Sequence, residues 1–503
     1  MSFKNLMLIS IKTFSSLFFI TFFYITNLGA TTLEDAVYQT LHTNPEIKDK
    51  TYVLEAVQKE RDIAHSSYYP KLDISVGTGI ANDKISPSNN IQTGETVTRL
   101  NYAAVASINV FNGFDTHYAV ESQKSRTQAA KSSLSDNKTS VSMQVIENYI
   151  NMIKQKEVLE ISKENVASHE KIYAKLKEYI DSGLGRVSDL KFASGRLTLA
   201  KINAVVNENN FIQAKVVFET IYGASIDTKL LEEPIFDYVL PDSLEEALSI
   251  SFKNNPYIQL SKNNITSAQI NYKRSQSVNY PSIDLELRKS FLTEKNNINY
   301  SVDSSYAMIF LNYNIFNGFA DKAVIEQNFS VYMQNNQSLL LAQRDITRKL
   351  STAWIASIKI DEQLKLLKEM QIESKRTLED YHKEFLFGRR TLLDIIVVEN
   401  DYNNARQSYH AAKYDLLLAR FRILDAMGGL VDYFLAKAEQ MQIVLRENYI
   451  EDSSVNNIIK QVNDKLQNNE EFSSYTENNN SSIDNLIQKL DSENNSSSID
   501  NKD

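Results

Sequence analysis

Val110-Phe111-Asn112-Gly113-Phe114 returns 205 residues later as Ile315-Phe316-Asn317-Gly318-Phe319. Gly183 with Gly388, Asp189 with Asp394 and Gly223 with Gly428 keep that spacing. Upstream the spacing is 211: Leu33-Glu34-Asp35-Ala36 matches Leu244-Glu245-Glu246-Ala247, Asn44-Pro45 matches Asn255-Pro256, and Tyr69-Pro70 matches Tyr280-Pro281. Anchors in one order with a single six-residue length change mark a tandem duplication. The first repeat covers residues 31–223, a linker 224–242, and the second repeat 243–428.

Each repeat has the same grammar. Asn44 and Asn255 stand as helix caps with Pro45 and Pro256 at the first helical position, where a missing N–H costs nothing. Pro70 and Pro281 end those helices. Period two follows: Leu72, Ile74 and Val76 alternate with Asp73, Ser75 and Gly77, and Ile283, Leu285 and Leu287 with Asp284, Glu286 and Arg288. This predicts strands at about 71–80, 100–111, 282–292 and 303–316, each near the ten residues that cross a bilayer when tilted.

Beyond each Phe-Asn-Gly-Phe the pattern becomes helical, over 114–182 and 319–387, with almost no Gly or Pro. At 1.5 Å per residue such a helix is about 100 Å long and needs partners. A helix of about 37 residues returns after Gly183 (186–222) and after Gly388 (390–427). Stacked end to end, the short helix before the strands and this returning helix match the long one in length.

Composition narrows the function. The 503 residues hold no Cys and six scattered His, which excludes thiol nucleophiles, all-cysteine zinc sites and iron–sulfur clusters. Gly77-x-Gly79 and Gly183-x-Gly185 lack the third glycine of a phosphate loop. No catalytic constellation, metal site or cofactor motif is found, so no enzyme and no cofactor is expected. The net charge of −9 argues against a nucleic-acid partner. Residues 1–30, with Lys4 and Lys12 ahead of an apolar run, read as a secretory signal peptide too short in its apolar part to span a membrane. A C-terminal segment, 429–467, precedes an Asn/Ser-rich acidic tail, 468–503, of disordered composition.

Four strands cannot close a barrel in lipid, because an open edge leaves backbone groups unpaired. Strands must be pooled between subunits. Two subunits give eight strands around a filled interior, and three give twelve around a lumen, so a channel favours three.

The duplicated Asn-Pro, Tyr-Pro, Phe-Asn-Gly and Gly-x5-Asp anchors resemble the TolC-like outer-membrane efflux protein family over nearly all of residues 31–429. The resemblance implies a mainly α fold with a membrane β-barrel contribution, in which duplicated long-helix hairpins form an α-barrel and four strands per subunit complete a 12-stranded barrel in a homotrimer. It implies an exit duct in the cell outer membrane with a large periplasmic portion, conducting exported substrates passively for a tripartite efflux or type I secretion system. Its partners would be a periplasmic adaptor, an inner-membrane transporter and outer-membrane lipid. A periplasmic coiled-coil adaptor or structural protein is the alternative, disfavoured by the duplicated strand pairs.

Candidate site residues follow. Asp394 resembles a family aspartate that rings the periplasmic entrance and Arg390 a gate arginine, with Ser188 and Asp189 as partners in the other repeat. The family member with the best-understood gate has a second aspartate where this chain has Val397 and a tyrosine where this chain has Phe385. Ser188 and Thr391 also read as helix caps, with Thr391-x-x-Asp394 as a capping box. Arg390 is expected to bridge to Asp189. Tyr69, Phe111, Tyr280 and Phe316 flank the strand ends and are expected to form a membrane-interface girdle or to pack at strand-to-helix corners.

Overall fold

Asparagine–proline starts, left-handed glycine stops and one four-stranded sheet organise the chain, which a computed structural model describes over residues 32–85, 93–183, 185–295 and 300–451. The signal peptide expected at 1–30 and the tail expected at 468–503 lie outside the described residues. The first repeat runs α1 (Leu33–Thr43), α2 (Pro45–Ser66), β1 (Lys71–Ile85), β2 (Thr93–Asn112), α3 (Asp115–Asp181) and α4 (Val187–Tyr222). The second runs α5 (Leu244–Asn254), α6 (Pro256–Ser275), β3 (Ser282–Lys295), β4 (Tyr300–Asn312), α7 (Ala320–Leu386) and α8 (Leu392–Met427). Helix α9 spans Leu430–Glu451; the chain divides into two compact units after Phe434, so the second unit begins inside α9.

Local chemistry sets the helix boundaries. The Asn44 side chain accepts from Glu46 N at 2.8 Å, and Asn255 Oδ1 accepts from Tyr257 N at 3.0 Å. Thr32 and Ser243 cap α1 and α5 in the same way. Gly223 and Gly428 close α4 and α8 at φ 84° and 79°, the left-handed region where glycine carries no side-chain penalty.

The sheet order is β1-β2-β3-β4, antiparallel throughout, so the β2–β3 pair joins the two repeats. The strands are longer than ten residues, at 15, 20, 14 and 13. β4 stops at Asn312, short of the expected 316, and the reason is pairing. The last residues of β2, Ile108 to Asn112, bond only to β3, whereas the equivalent 313–317 have no strand beside them.

The pairing register separates two faces. One carries Leu72, Ile74, Val76, Ala106, Leu285, Leu287 and Ile309, interrupted toward its outer half by the mutually paired Lys289 and Asp303. The other carries Val105, Met308 and Phe310 among mostly polar residues and is internally bonded: Arg99 Nε to Glu294 Oε1 at 2.8 Å, Asn109 Nδ2 to Asp284 Oδ1 at 2.6 Å, and Tyr306 Oη to Glu286 Oε1 at 2.7 Å. Apolar outside and polar inside is the pattern of a membrane strand. No described helix is long and apolar enough to cross a membrane.

α3 is the centre of the first unit, packing on α2 and α4 of its own repeat and on α6 and α8 of the other. Val145, Ile146, Tyr149 and Met152 are fully enclosed along it. Its seam with α8 is edged by ion pairs, Lys154–Asp415 at 2.9 Å and Arg422–Glu147 at 2.8 Å. The expected end-to-end stacking occurs in the second repeat. The end of α8 meets the elbow between α5 and α6, where Ser251 Oγ of α5 and Asn255 Nδ2, the cap residue of α6, both donate to Ala426 O, at 2.6 and 3.1 Å.

Candidate functional site

At the tip of the second hairpin, α7 ends in a Schellman-type turn: Gly388 has φ 69°, and Arg389 N donates to Glu384 O at 2.9 Å. Thr391 then caps α8. Its Oγ1 accepts from Asp394 N at 3.2 Å, and Thr391 N donates to Asp394 Oδ2 at 2.9 Å, completing the expected capping box. The backbone N–H of Thr391, then its hydroxyl, hold the Asp394 carboxyl below the usual carboxylate range, with Arg390 assisting.

Arg390 is engaged within its own hairpin. Its Nε donates to Glu384 Oε2 at 2.8 Å and its guanidinium lies 4.1 Å from the centre of the Tyr381 ring. The expected bridge from Arg390 to Asp189 is therefore not made inside the chain. Glu384 stands six residues before Arg390, on the other side of the Gly388 turn, and reaches it first.

The first hairpin tip is built differently. Arg186 occupies the cap position of α4 without a side-chain cap bond, and Ser188 is the second helical residue. The reading of Ser188 as a cap is thus corrected: its hydroxyl is exposed and donates to Asp189 Oδ1 at 3.2 Å. Just inside the tips Ile172, Leu176, Ala193, Leu392, Ile395 and Ile396 form one buried cluster, which ties the two hairpins together. Phe385 packs at its margin with Tyr179 at 6.5 Å, and Lys175 Nζ lies 5.1 Å over the Phe385 ring.

The four expected rim aromatics lie at strand-to-helix corners. Phe111 meets Phe114 edge-on at 5.4 Å, Phe114 meets Tyr280 at 6.4 Å, and Phe316 meets Phe319 at 5.3 Å. Tyr69, Tyr280 and Phe316 are exposed and Phe111 is half-buried. Phe114 and Phe319, which sequence reasoning passed over, are the two non-glycine residues with positive φ among those described, at 69° and 65°. A left-handed phenylalanine costs about 1–3 kcal/mol and persists only where its surroundings fix it. The signal was present in the repeated Asn-Gly-Phe, since two consecutive left-handed residues turn each last strand sharply into a long helix.

The family model described as "Outer membrane efflux protein" matches residues 36–224 and 247–429, well over half of the chain and both repeats. The chain belongs to the outer membrane efflux protein family. The efflux protein is 21% identical over 403 residues to outer membrane efflux protein BepC of Brucella suis, covering 79% of this chain and 86% of that one. It is 19% identical over 410 residues to proteases secretion protein PrtF of Dickeya chrysanthemi, covering 79% and 88%. Among solved structures, the Campylobacter jejuni CmeC outer membrane channel superposes with a TM-score of 0.70 at 17% identity, covering 79% of this chain and 86% of that one. CusC superposes at 0.69 with 15% identity, covering 81% and 94%.

The efflux protein is an outer-membrane channel component and not an enzyme. The alternative of a soluble adaptor falls with the family match. Sequence reasoning also missed the apolar tips: Leu386 and Phe387 are 77% and 79% exposed, and Val187 is 62% exposed.

Proposed function

We propose that three copies of the efflux protein close head to tail into an exit duct, with a twelve-stranded barrel in the outer membrane and the long helices forming a tunnel on its periplasmic side. The observation that carries this is a set of three seams made inside the chain whose repeat counterparts are left open. β2 pairs with β3, α3 packs on α6, and α3 packs on α8. By the repeat offsets the counterparts are β4 with β1, α7 with α2 and α7 with α4. Each of these joins the second repeat to a first repeat, so a neighbouring subunit supplies it and the ring closes. Three subunits rather than two leave a lumen between the polar sheet faces.

Exported substrates pass through this lumen without chemical change. The hairpin tips form its periplasmic entrance. Arg390 and Asp394 stand there with Asp189 and Ser188, and the exposed Leu386, Phe387 and Val187 offer an apolar landing surface for a periplasmic adaptor that recruits an inner-membrane transporter. BepC and PrtF carry the names of efflux and of protease secretion respectively, and the same duct physics serves both. Tyr69, Phe111, Tyr280 and Phe316 at the corners mark the inner membrane rim.

Reconstitution in planar bilayers tests the reading. The wild-type protein gives small, long-lived conductance steps, and Arg390→Ser raises the step size by releasing the Glu384–Tyr381 clamp at the entrance. Equal conductance for the variant removes Arg390 from the gate, and no conductance from a correctly folded protein removes the duct.

A further inference from the structure

Beside the stacked ends of α8 and α6 lies a cleft of about 450 Å³, walled by α3, α6, α7 and α8. Asn255 is the hinge pin of this junction. Its Oδ1 caps α6, its Nδ2 caps α8 through Ala426 O, and a Cβ on Gly428 would stand 2.7 Å from its Cα. Asp425, in the last turn of α8, faces the cleft.

The charges around Asp425 are of both signs, Lys349 and Arg422 favouring its ionised form and Asp136 and Glu147 opposing it. A carboxylate at a helix C-terminus meets the negative end of the helix dipole. From α3 come Asp136 and Glu147, and from α7 Asp345 and Lys349. Arg422 on α8 is committed to Glu147 at 2.8 Å. Lys349 and Arg348 both pair with Asp345, at 3.2 and 2.6 Å. The described cations nearest to Asp425 are thus already paired. Desolvation pushes the Asp425 carboxyl up to about 7 against the pull of Lys349, with smaller additions from Asp136 and Glu147, and desolvation also raises Asp136. The first repeat has Thr220 where the second has Asp425, so the arrangement belongs to one junction of the two.

We propose that the α8–α6 junction is a proton-operated joint, tightened when Asp425 is protonated and loosened when it ionises. The neutral carboxyl removes a charge from the helix end and gains a proton to donate across the cleft. An ionised one repels the Ala426 carbonyl end and Asp136 just where Asn255 holds the helices together. The joint is complete within one chain, so the inference stands whether or not three copies assemble.

The sign is fixed by linkage. A carboxyl near 7 when the joint is closed and near its ordinary value when open makes opening more favourable as pH rises between those two values, and constant above them. Hydrogen exchange on the full-length protein, read at the amides of residues 251–258 and 424–429, tests this. After correction for intrinsic rates, protection should fall about ten- to a hundredfold from pH 5 to pH 7 and then level off. Asp425→Asn should give protection that no longer follows pH. PH-independent protection in the wild type, or an Asp425→Asn protein that keeps the wild-type profile, overturns the proposal. Should Asp425→Asn not fold, the wild-type profile together with Asp136→Asn decides: a profile that vanishes with Asp136→Asn assigns the proton to Asp136 and also overturns it.

Discussion

α4 and α8 are the same 36-residue helix in two repeats, yet α8 buries fifteen residues and α4 four. The long helices differ the opposite way, with twenty-one buried residues on α3 and four on α7. Both α4 and α7 nonetheless carry large apolar side chains outward, among them Leu199, Ile202 and Val205 on α4, and Leu341, Ile355 and Leu366 on α7. In the proposed trimer, these two bare faces, on helices whose repeat counterparts are covered, are the two sides of one interface between subunits. The sheet repeats the lesson: β1 and β4 are its open edges, and β4 falls short where its next partner is absent.

The inner seam predicts the register of the outer one. Ala106 faces Leu287 and Asn109 faces Asp284 across β2–β3. The offsets turn these into Leu311 facing Val76, and Asn314 facing Asp73, across β4–β1 of neighbouring subunits. Val76→Cys with Leu311→Cys should therefore give, on oxidation, a covalent species of three chains on a denaturing gel, an all-or-none effect. A ladder that ends at two chains would falsify the twelve-stranded barrel, and the absence of any cross-link would break the comparison itself.

A smaller effect separates the two collars. At Gly113 an added Cβ would lie 2.4 Å from Ser277 O and 2.9 Å from Tyr280 Cβ, whereas nothing stands within 4 Å of Gly318. The counterparts of Ser277 and Tyr280 are Ser66 and Tyr69, which a neighbouring subunit would bring to Gly318. Both substitutions to Ala bear the left-handed strain of about 1 kcal/mol. Gly113→Ala should add an intrachain clash and lower the denaturation midpoint of the monomeric chain. Gly318→Ala should leave that midpoint nearly in place and reduce the trimer fraction seen by light scattering. Equal effects of both changes on the monomer would mean that the Gly318 collar has no external partner.

Much of this was legible in advance because duplication converts a single sequence into an alignment of two. The Asn-Pro caps, the left-handed glycines and the strand alternation each occur twice, and the physics that fixes them is local. What escaped was long-range or one-sided. Strand ends depended on which neighbour was present to bond them, as residues 313–316 illustrate. The Arg390 bridge was expected across repeats, but the identity of its partner depended on the Gly388 turn bringing Glu384, six residues back, within reach. Phe114 was passed over because its positive φ is forced by the corner and not by phenylalanine. The Asp425 junction left no motif, since its four walls come from residues up to 289 positions apart.

The smallest predicted difference lies at the tips, where the two repeats present a capped and an uncapped helix. Thr391→Ala removes the hydroxyl that accepts from Asp394 N and donates to the Asp394 carboxylate, leaves the bond from the backbone N–H of residue 391 in place, and should cost about 1 kcal/mol in denaturant unfolding. Ser188→Ala removes a hydroxyl that caps nothing and should cost close to zero. The sign with pH follows from Asp394, whose carboxyl is depressed by the Thr391 backbone N–H. Its contribution is present above the ordinary carboxylate range and disappears as pH falls through its lowered value. The gap between the two variants should narrow in acid only by the share that the Thr391 hydroxyl lends to the Asp394 carboxylate, because the backbone N–H bond is common to both. A Ser188→Ala protein as unstable as Thr391→Ala would mean that the first hairpin draws its tip stability from the Ser188–Asp189 bond, and that the two entrances are built alike after all.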